Sequence, residues 1–160
     1  WCGRTSVDEV MELLAGKTSP TTISLALQDI ARMVEKVKLK QIIFSFTGGV
    51  HAAALLNRAG EIEYLREDIG RHNAVDKTLG SCLRDGRLPV ETGILVLSGR
   101  AGLELIHKAA MSEIEVVISV GAPTTMAIDV ARAANITLIG FVKVDSMNIY
   151  TNQQRIRIDE

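Results

Sequence analysis

The residues Arg66–Lys77 form the segment of this chain whose side chains could do the most chemistry. Both signs of charge, the imidazole of His72 and the amide of Asn73 lie within it, and apolar segments flank it on both sides. Such a mixture at the end of a structural element indicates a site that binds a charged ligand with several functional groups. The alternative is a charged strand end followed by the exposed first turn of a helix, and this segment alone leaves both readings open.

Three short turns share a composition that suits anion binding. They are Thr47–Gly49, Ser98–Arg100 and Gly121–Thr125, and each follows a predicted strand and precedes a predicted helix. Free backbone N–H groups at helix starts bind anions, and Arg71 and Arg100 would add charge. The three turns together favour phosphate or nucleotide binding, although Gly and Ser also make ordinary turns. None of them matches a Walker A loop or the dinucleotide fingerprint.

The histidines and cysteines show no metal-binding spacing. His51 begins a predicted helix, and His72 lies four residues before Asp76, a spacing that allows either an Asp–His contact or a plain surface pair. The chain has no C-x-x-C, H-x-x-x-H or H-x-E pattern, so no metal site, and in particular no zinc site, is predicted. Cys2 lies in a segment without apolar periodicity, where it is either a reactive exposed thiol or a stray terminal cysteine. Cys82 follows a helical apolar pattern and is predicted to be a core residue.

Hydrophobic patterning predicts the elements that position these residues. Helices are predicted at Val7–Ala15, Thr22–Val37, Val50–Arg58, Arg71–Leu83, Gly102–Met111 and Pro123–Ala134. Strands are predicted at Ile42–Phe46, Glu61–Glu67, Gly93–Leu97, Val116–Val120 and Thr137–Val142, with a short edge strand at Gln154–Ile158. The alternation predicts one α/β domain in three layers, with helices on both faces of a mostly parallel mixed sheet. Ligands of such folds bind beyond the carboxyl ends of the strands.

Composition narrows the class of protein. The chain has 160 residues, 47% of them hydrophobic, with a net charge of −1 and 4% aromatic residues. It is long enough for one domain, and it has neither the basic charge nor the stacking residues typical of nucleic-acid binding. No run is apolar enough to predict a membrane span or a signal peptide, and two distant cysteines favour a reducing cytoplasm. Because the chain starts at Trp1, we expect it to be part of a longer protein.

Several motifs, in this order, resemble one known family. They are Phe46–Ala53, Arg66–Lys77, Leu97–Arg100, Ala122–Thr125, and Gly140–Lys143 followed by Met147–Thr151. With these motifs the chain resembles the C-terminal domain of the FdhD/NarQ family, the formate dehydrogenase accessory sulfurtransferases. The resemblance covers nearly the whole chain and implies that residues 1–160 form a single domain with a fold like that of cytidine deaminases.

The resemblance implies a cytoplasmic sulfur carrier that acts as a sulfurtransferase. Such a protein takes sulfur from a cysteine desulfurase as a cysteine persulfide. It passes the sulfur to the bis-molybdopterin guanine dinucleotide molybdenum cofactor before that cofactor enters formate dehydrogenase. GDP is then a surrogate ligand, and a homodimer is compatible with the resemblance. The alternative is a chaperone that binds the cofactor and transfers nothing.

The resemblance also assigns roles to residues. The family's sulfur-carrying loop has a C-G-x-C pattern, which implies that Cys2 carries the sulfur and that residues 1–20 form a flexible loop and a short helix. Thr5 stands in place of the second cysteine, which puts in doubt a mechanism with two thiols in one chain. The implied cofactor-binding segment is Phe141, Val142, Lys143, Val144, Asp145 and Ser146, with Lys143 where relatives often carry Arg.

Further cofactor-binding residues are expected at the turns and in the polar segment. They are Thr47, Gly48, Gly49, His51, Arg71, His72, Ser98, Gly99, Arg100 and Thr124. Acidic side chains could accept hydrogen bonds from guanine amino groups. The stretch His51–Ala53 lacks the glutamate of the deaminases, and Ala122–Thr125 lacks their paired cysteines, which argues against zinc-dependent deamination.

Overall fold

The computed structural model describes residues 7–14, 18–90 and 93–157 of the chain. The helices are α1 (Val7–Leu14), α2 (Leu27–Leu39), α3 (Ile42–Thr47), α4 (Arg71–Arg84), α5 (Leu103–Met111) and α6 (Thr125–Ala133), with a 3-10 turn at Gln153–Arg155. The strands are β1 (Leu25–Ala26), β2 (His51–Leu56), β3 (Ile62–Asp68), β4 (Ile94–Leu97), β5 (Val116–Ser119), β6 (Thr137–Gly140), β7 (Asn148–Ile149) and β8 (Ile156–Arg157).

A six-stranded mixed sheet in the order β3-β2-β4-β5-β6-β7 forms the middle layer. Strands β4, β5 and β6 are parallel, whereas β2 and β7 run antiparallel to their neighbours. The start of β2 therefore lies beside the ends of β3 and β4, with His51 opposite Asp68. We call this side of the sheet, where β3 to β6 end and β2 and β7 begin, the carboxyl edge.

Apolar side chains alternate between the two faces of the sheet and build two cores. Ala53 and Leu55 pack with buried residues of α1, α4, α5 and α6 on one face. Ala54 and Leu56 pack on the other face with residues of α2, β1 and β8. This alternation has the two-residue period of a strand that is buried on both sides. The predicted α/β fold in three layers with a mixed sheet is confirmed.

The strand predicted at Ile42–Phe46 is wrong, because these residues form the short helix α3. A short apolar run cannot be told from a helix by periodicity alone. Two features outside the run decide its structure. The Glu67 carboxylate accepts the backbone N–H groups of Ile43 and Phe44, and Gly48 ends the helix in a left-handed conformation with φ of 62°.

The helix predicted at Val50–Arg58 is also wrong, because residues His51–Leu56 form strand β2. Its three consecutive alanines favour a helix in isolation. The segment pairs instead with β3 on one side and with β4 on the other, and Ala52 to Leu56 are all buried. Tertiary pairing therefore outweighs the local helix propensity.

The helix predicted from Thr22 begins only at Leu27, because other groups bind the backbone before it. The buried carboxylate of Glu115 accepts the N–H groups of Thr22 (2.6 Å) and Ile23 (3.1 Å), which keeps that segment out of the helix. Strand β1 follows and pairs with β8 in a separate two-stranded sheet. The strand predicted from Gln154 begins only at Ile156 and is not at the edge of the main sheet, and Ile158 lies outside the described residues. Strands β1 and β7 were not predicted.

The other predicted elements are confirmed with small shifts at their ends. The strand predicted at Thr137–Val142 stops at Gly140, and the helix predicted from Pro123 begins at Thr125. Cys82 is buried on α4, as its apolar pattern predicted, and burial raises the pKa of its thiol. None of the helices in the described ranges is long and apolar enough to cross a membrane.

Candidate functional site

A cavity of about 550 Å³ opens at the carboxyl edge, and we call it the main cavity. Helix α2 and the end of α3 form one side, and the ends of β4 and β5 form its floor. The structure places these predicted site residues in its lining: Gly48, Gly49, His51, Ser98, Val142, Lys143 and Val144. Its volume is in the range of small-molecule sites.

The wall between α3 and β2 depends on two glycines. The N–H of Gly48 donates to the carbonyl of Phe44 (2.8 Å) while Gly48 holds its positive φ, and the N–H of Gly49 donates to the Thr47 hydroxyl (3.2 Å). The chain then enters β2 at His51 and not a helix, so two sequence predictions fail here. The turn Thr47–Gly49 joins a helix to a strand, and His51 is the first residue of a strand.

The floor of the main cavity is tightly built around the turn after β4. The Ser98 hydroxyl accepts the N–H of Ala52 (2.8 Å), which joins the start of β2 to the end of β4. A Cβ atom at Gly99 would lie 3.0 Å from Nδ1 of His51, so the imidazole packs directly against the glycine. A Cβ at Gly121 would lie 2.8 Å from the backbone nitrogen of Arg100. Small residues are therefore required here by close backbone approach.

The segment Phe141–Ser146 follows β6 and forms a compact turn. Phe141 has a positive φ of 53°, Val142 is buried, and the N–H of Lys143 donates to the carbonyl of Ser146 at 2.8 Å. Val144, Asp145 and Ser146 line a second groove of about 550 Å³ with Leu27, Gln28 and Ala31 from α2. Ala31 and Val144 line both spaces, so the second groove lies next to the main cavity.

The main cavity combines apolar walls with a few charged groups. Val34, Val37, Val96 and Val120 supply apolar surface, and Lys38, Lys143 and His51 supply cationic or polar groups. Glu35 contributes one carboxylate, whose Oε1 lies 3.8 Å from Nζ of Lys38. Such a space suits a ligand with a flat apolar ring and a negative charge. Glu35 and Lys38 were missed from the sequence, where they look like ordinary exposed charges of an amphipathic helix.

The carboxylates of the polar segment Arg66–Lys77 are mostly engaged within the protein. The Asp68 carboxylate lies 2.5 Å from Nζ of Lys77 and accepts the N–H of Gly70 (2.9 Å) and the amide of Asn73 (3.1 Å). Lys77, then Gly70 and then Asn73 lower the pKa of Asp68 to about 2 from its ordinary value of 3.8. The contacts of Asp68 are therefore those of a strand end and of the first helical turn that follows it.

The spacing of His72 and Asp76 allowed a contact between them, but each lies next to a different residue. Its Nε2 lies 3.4 Å from Oε2 of Glu104 on α5, whereas Asp76 pairs with Nζ of Lys108 at 2.5 Å. Nε of Arg71 and Nε2 of His72 are buried and have no hydrogen-bond partner in the part of the chain that the structure describes. Buried polar atoms of this kind normally have a partner.

The remaining predicted site residues lie outside the linings of these two spaces. Arg100 is exposed, and the Thr124 hydroxyl caps α6 by accepting the N–H of Ala127 (3.2 Å). The residues that line neither space are Thr47, Arg71, His72, Gly99, Arg100, Thr124 and Phe141. Cys2 and the rest of its motif lie outside the described residues. Among the residues that were described, no three His, Cys, Asp or Glu side chains group closely enough to hold a metal ion.

Comparisons with known proteins agree on one family. Residues 1–157 match the FdhD/NarQ family. The chain is 44% identical over 165 aligned positions to a protein of Anaeromyxobacter dehalogenans named sulfur carrier protein FdhD, covering 97% of this chain and 55% of the relative. A protein of the same name from Picrophilus torridus is 45% identical over 158 positions, covering 97% of this chain and 59% of the relative.

A solved structure supports the same assignment. The crystal structure of a formate dehydrogenase accessory protein from Desulfotalea psychrophila superposes with a TM-score of 0.81 and 27% sequence identity. The match covers 91% of this chain and 62% of that one. The chain thus spans somewhat more than half the length of the relatives that it matches. Since the family match extends over nearly all of its residues, the chain belongs to the FdhD/NarQ family.

Proposed function

We propose that this chain is the cofactor-binding part of a sulfur carrier that serves formate dehydrogenase in the cytoplasm. The main cavity and the second groove would bind one guanine dinucleotide arm of the molybdenum cofactor, which is the cargo and not a resident group. The names of the relatives support the sulfur-carrying role. The observation that carries the binding role is that the two spaces lie side by side, sharing Ala31 and Val144, next to the Phe141–Ser146 turn.

The shape and charge of these spaces suit a dinucleotide. Each space measures about 550 Å³, so the pair can hold a ligand with two ring systems that are joined by phosphates. Lys143 is exposed and lines the main cavity between the buried Val142 and the exposed Val144. Its ammonium could therefore contact a pyrophosphate in that cavity. Glu35 in the main cavity and Asp145 in the second groove are carboxylates that can accept hydrogen bonds from a guanine amino group.

Cys2 would carry the sulfur as a persulfide. Its thiolate attacks the outer sulfur of a persulfide on a cysteine desulfurase, the donor S–S bond breaks, and the desulfurase thiolate leaves. A second thiol that then attacks the Cys2 sulfur forms a disulfide with it and releases the outer sulfur as sulfide to the cofactor. Thr5 cannot supply that thiol, and Cys82 is buried in the core. The attacking thiol would therefore come from outside these 160 residues.

GDP binding tests the cofactor site, because GDP represents half of one arm. Titration calorimetry should show GDP binding to the chain, and Lys143→Ala should weaken it by roughly tenfold through loss of one charge-assisted contact. Arg58→Ala is the matched control, since Arg58 is an exposed cation that lines neither of the two spaces. If GDP does not bind, or if both variants bind as tightly as the wild type, the site is wrongly placed.

Mass spectrometry tests the sulfur-carrying role separately. After incubation with a cysteine desulfurase and cysteine, the peptide containing Cys2 should gain the mass of one sulfur atom. Cys82→Ala should retain this adduct and Cys2→Ala should lose it. The alternative, a chaperone that binds the cofactor without transferring sulfur, is favoured by the replacement of the second motif cysteine by Thr5. Tight GDP binding without any adduct on Cys2 would establish that alternative.

A further inference from the structure

We infer that Glu67 is a positioning residue for ligand binding in the main cavity and that it acts through helix α3. The inference rests on the proposed function and adds a residue that does not itself reach the ligand. Glu67 lines a neighbouring open space of about 720 Å³, the outer groove, together with Ile42, Ile43, Leu65 and Lys77. It is absent from the lining of the main cavity.

Glu67 joins β3 to the first turn of α3 through both oxygens of its carboxylate. Oε2 accepts the N–H of Ile43 (2.8 Å) and Oε1 accepts the N–H of Phe44 (2.9 Å). The first N–H groups of a helix have no acceptor within the helix, so these two bonds satisfy groups that would otherwise face solvent. Hydrogen bonds to a charged acceptor are the stronger kind. Nζ of Lys77 also donates to the Glu67 carbonyl (3.3 Å).

Little else attaches α3 to the rest of the domain. Phe46 is 85% and Ile42 is 69% exposed, and Ile43 (47%) and Phe44 (40%) are only partly covered, so none of its side chains is anchored in the core. A helix of this length is not stable on its own. The Glu67 carboxylate is therefore a principal tether that keeps these residues helical and close to the sheet.

Helix α3 separates the outer groove from the main cavity. Ile42 and Ile43 line the outer groove, whereas Phe44 and the terminating Gly48 line the main cavity. The chain then continues through Gly49 into His51 along the same wall. If the tether is lost, the wall is formed for only part of the time, and the apparent affinity for a ligand falls by the fraction of molecules in which it is formed.

Three variants test this inference. Glu67→Ala removes both acceptors, Glu67→Gln keeps one oxygen, and Glu63→Ala is the control. Glu63 lies on the same strand and pairs with Arg87 at 2.9 Å, but it lines neither the main cavity nor the outer groove. Without ligand, the amides of Ile43 and Phe44 should exchange hydrogen faster in Glu67→Ala, at an intermediate rate in Glu67→Gln, and as in the wild type in Glu63→Ala.

GDP titration then measures whether the tether matters for binding. We expect Glu67→Ala to weaken GDP binding by roughly fivefold to tenfold, Glu67→Gln by less, and Glu63→Ala not at all. A thermal melt of each variant shows that it is folded, and Glu67→Gln serves if Glu67→Ala does not fold.

If a folded Glu67 variant binds GDP as tightly as the wild type does, the positioning role is overturned and the proposed function still stands. Unchanged exchange at Ile43 and Phe44 would overturn the tether itself. If the wild-type chain does not bind GDP, the proposed function fails first and the positioning role falls with it.

Discussion

Charged side chains are buried and paired at one end of the central sheet, and several are exposed and unpaired among the described residues at the other. At the amino ends of the strands, Glu115 and Arg155 form an ion pair with both side chains 0% exposed. Nearly all the hydrogen-bonding capacity of this pair is used, because Glu115 also binds Thr22 and Ile23, and Arg155 also binds Thr137 and the carbonyl of Pro20. At the carboxyl edge Lys143 and Arg100 are exposed, and neither makes an ion pair among the described residues.

This difference separates stability from ligand binding. A buried pair whose partners satisfy each other can only hold chain segments together, and here it holds the stretch before β1 against the sheet. Exposed cations beside small residues and open backbone turns add little to folding but can contact a ligand. Burial lowers the pKa of Arg155 below its ordinary value, and the hydrogen bond that Arg155 donates to Glu115 offsets only part of that effect. At the carboxyl edge Asp68 is engaged in the same way, but the cations Lys143 and Arg100 remain available to a ligand.

The largest effect is expected at the buried end. Glu115→Ala would leave the Arg155 guanidinium buried without its counter-ion and remove the acceptor of the Thr22 and Ile23 amides. We expect a loss of about 3–5 kcal/mol in the free energy of unfolding, measured by chemical denaturation. Glu61→Ala is the control, because its exposed pair with Lys36 should contribute less than about 1 kcal/mol. Equal losses in the two variants would remove the contrast between the ends of the sheet.

A second, smaller effect is expected from added volume at the carboxyl edge. Gly121→Ala would place a Cβ atom 2.8 Å from the backbone nitrogen of Arg100 and 2.9 Å from the carbonyl carbon of Gly99. Backbone atoms cannot move away as a side chain can, so we expect a loss of about 1–3 kcal/mol. Gly80→Ala on α4 is the control, because its added Cβ would have no atom within 4 Å apart from its chain neighbours and the nearby backbone of its own helix. A denaturation midpoint for Gly121→Ala equal to that of the wild type would show that the turns are not tightly packed.

The third prediction concerns pH. Lys77, Gly70 and Asn73 hold the pKa of Asp68 at about 2, below its ordinary value of 3.8. A carboxyl whose pKa is lowered by folding stabilises the protein above its ordinary pKa, and that contribution is lost as the pH falls toward 2. Asp68→Asn should therefore melt at a lower temperature than the wild type at about pH 6, and the gap should narrow as the pH falls below about 4. A gap that stays constant with pH would contradict the assignment.

Much of the fold could be predicted from the sequence, because strands and helices alternate regularly after Gly93. Strands β4 to β6 are mostly apolar and buried at every position, and the helices between them are amphipathic, so pattern and burial agree. The region between Ile42 and Leu56 could not be predicted, because helix and strand there are decided by partners distant in sequence. Glu67 binds the start of α3, and β3 and β4 enclose β2.

Residues that line the candidate site could be predicted only where they lie in one of the sequence motifs. The turn Phe141–Ser146 and the glycines before β2 were identified from such motifs. The contribution of α2 was not, because Glu35 and Lys38 have the composition of any solvated helical face. Glu35 and Lys38 line the main cavity because α2 packs against β4. That packing cannot be read from the sequence of α2 alone.

The smallest effect on stability is expected at His72, which lies at the carboxyl edge and makes no buried ion pair like that of Glu115 and Arg155. Its Nε2 lies 3.4 Å from Oε2 of Glu104 without making a hydrogen bond, and its side chain is 37% exposed. His72→Ala should therefore change the free energy of unfolding by only about 0.5 kcal/mol, a shift of a few degrees in melting temperature. Formate dehydrogenase activation by the longer protein should nevertheless fall if the carboxyl edge serves the ligand. A large drop in melting temperature with unchanged activation per folded molecule would place His72 with Glu115 and Arg155, among the residues that hold the fold together.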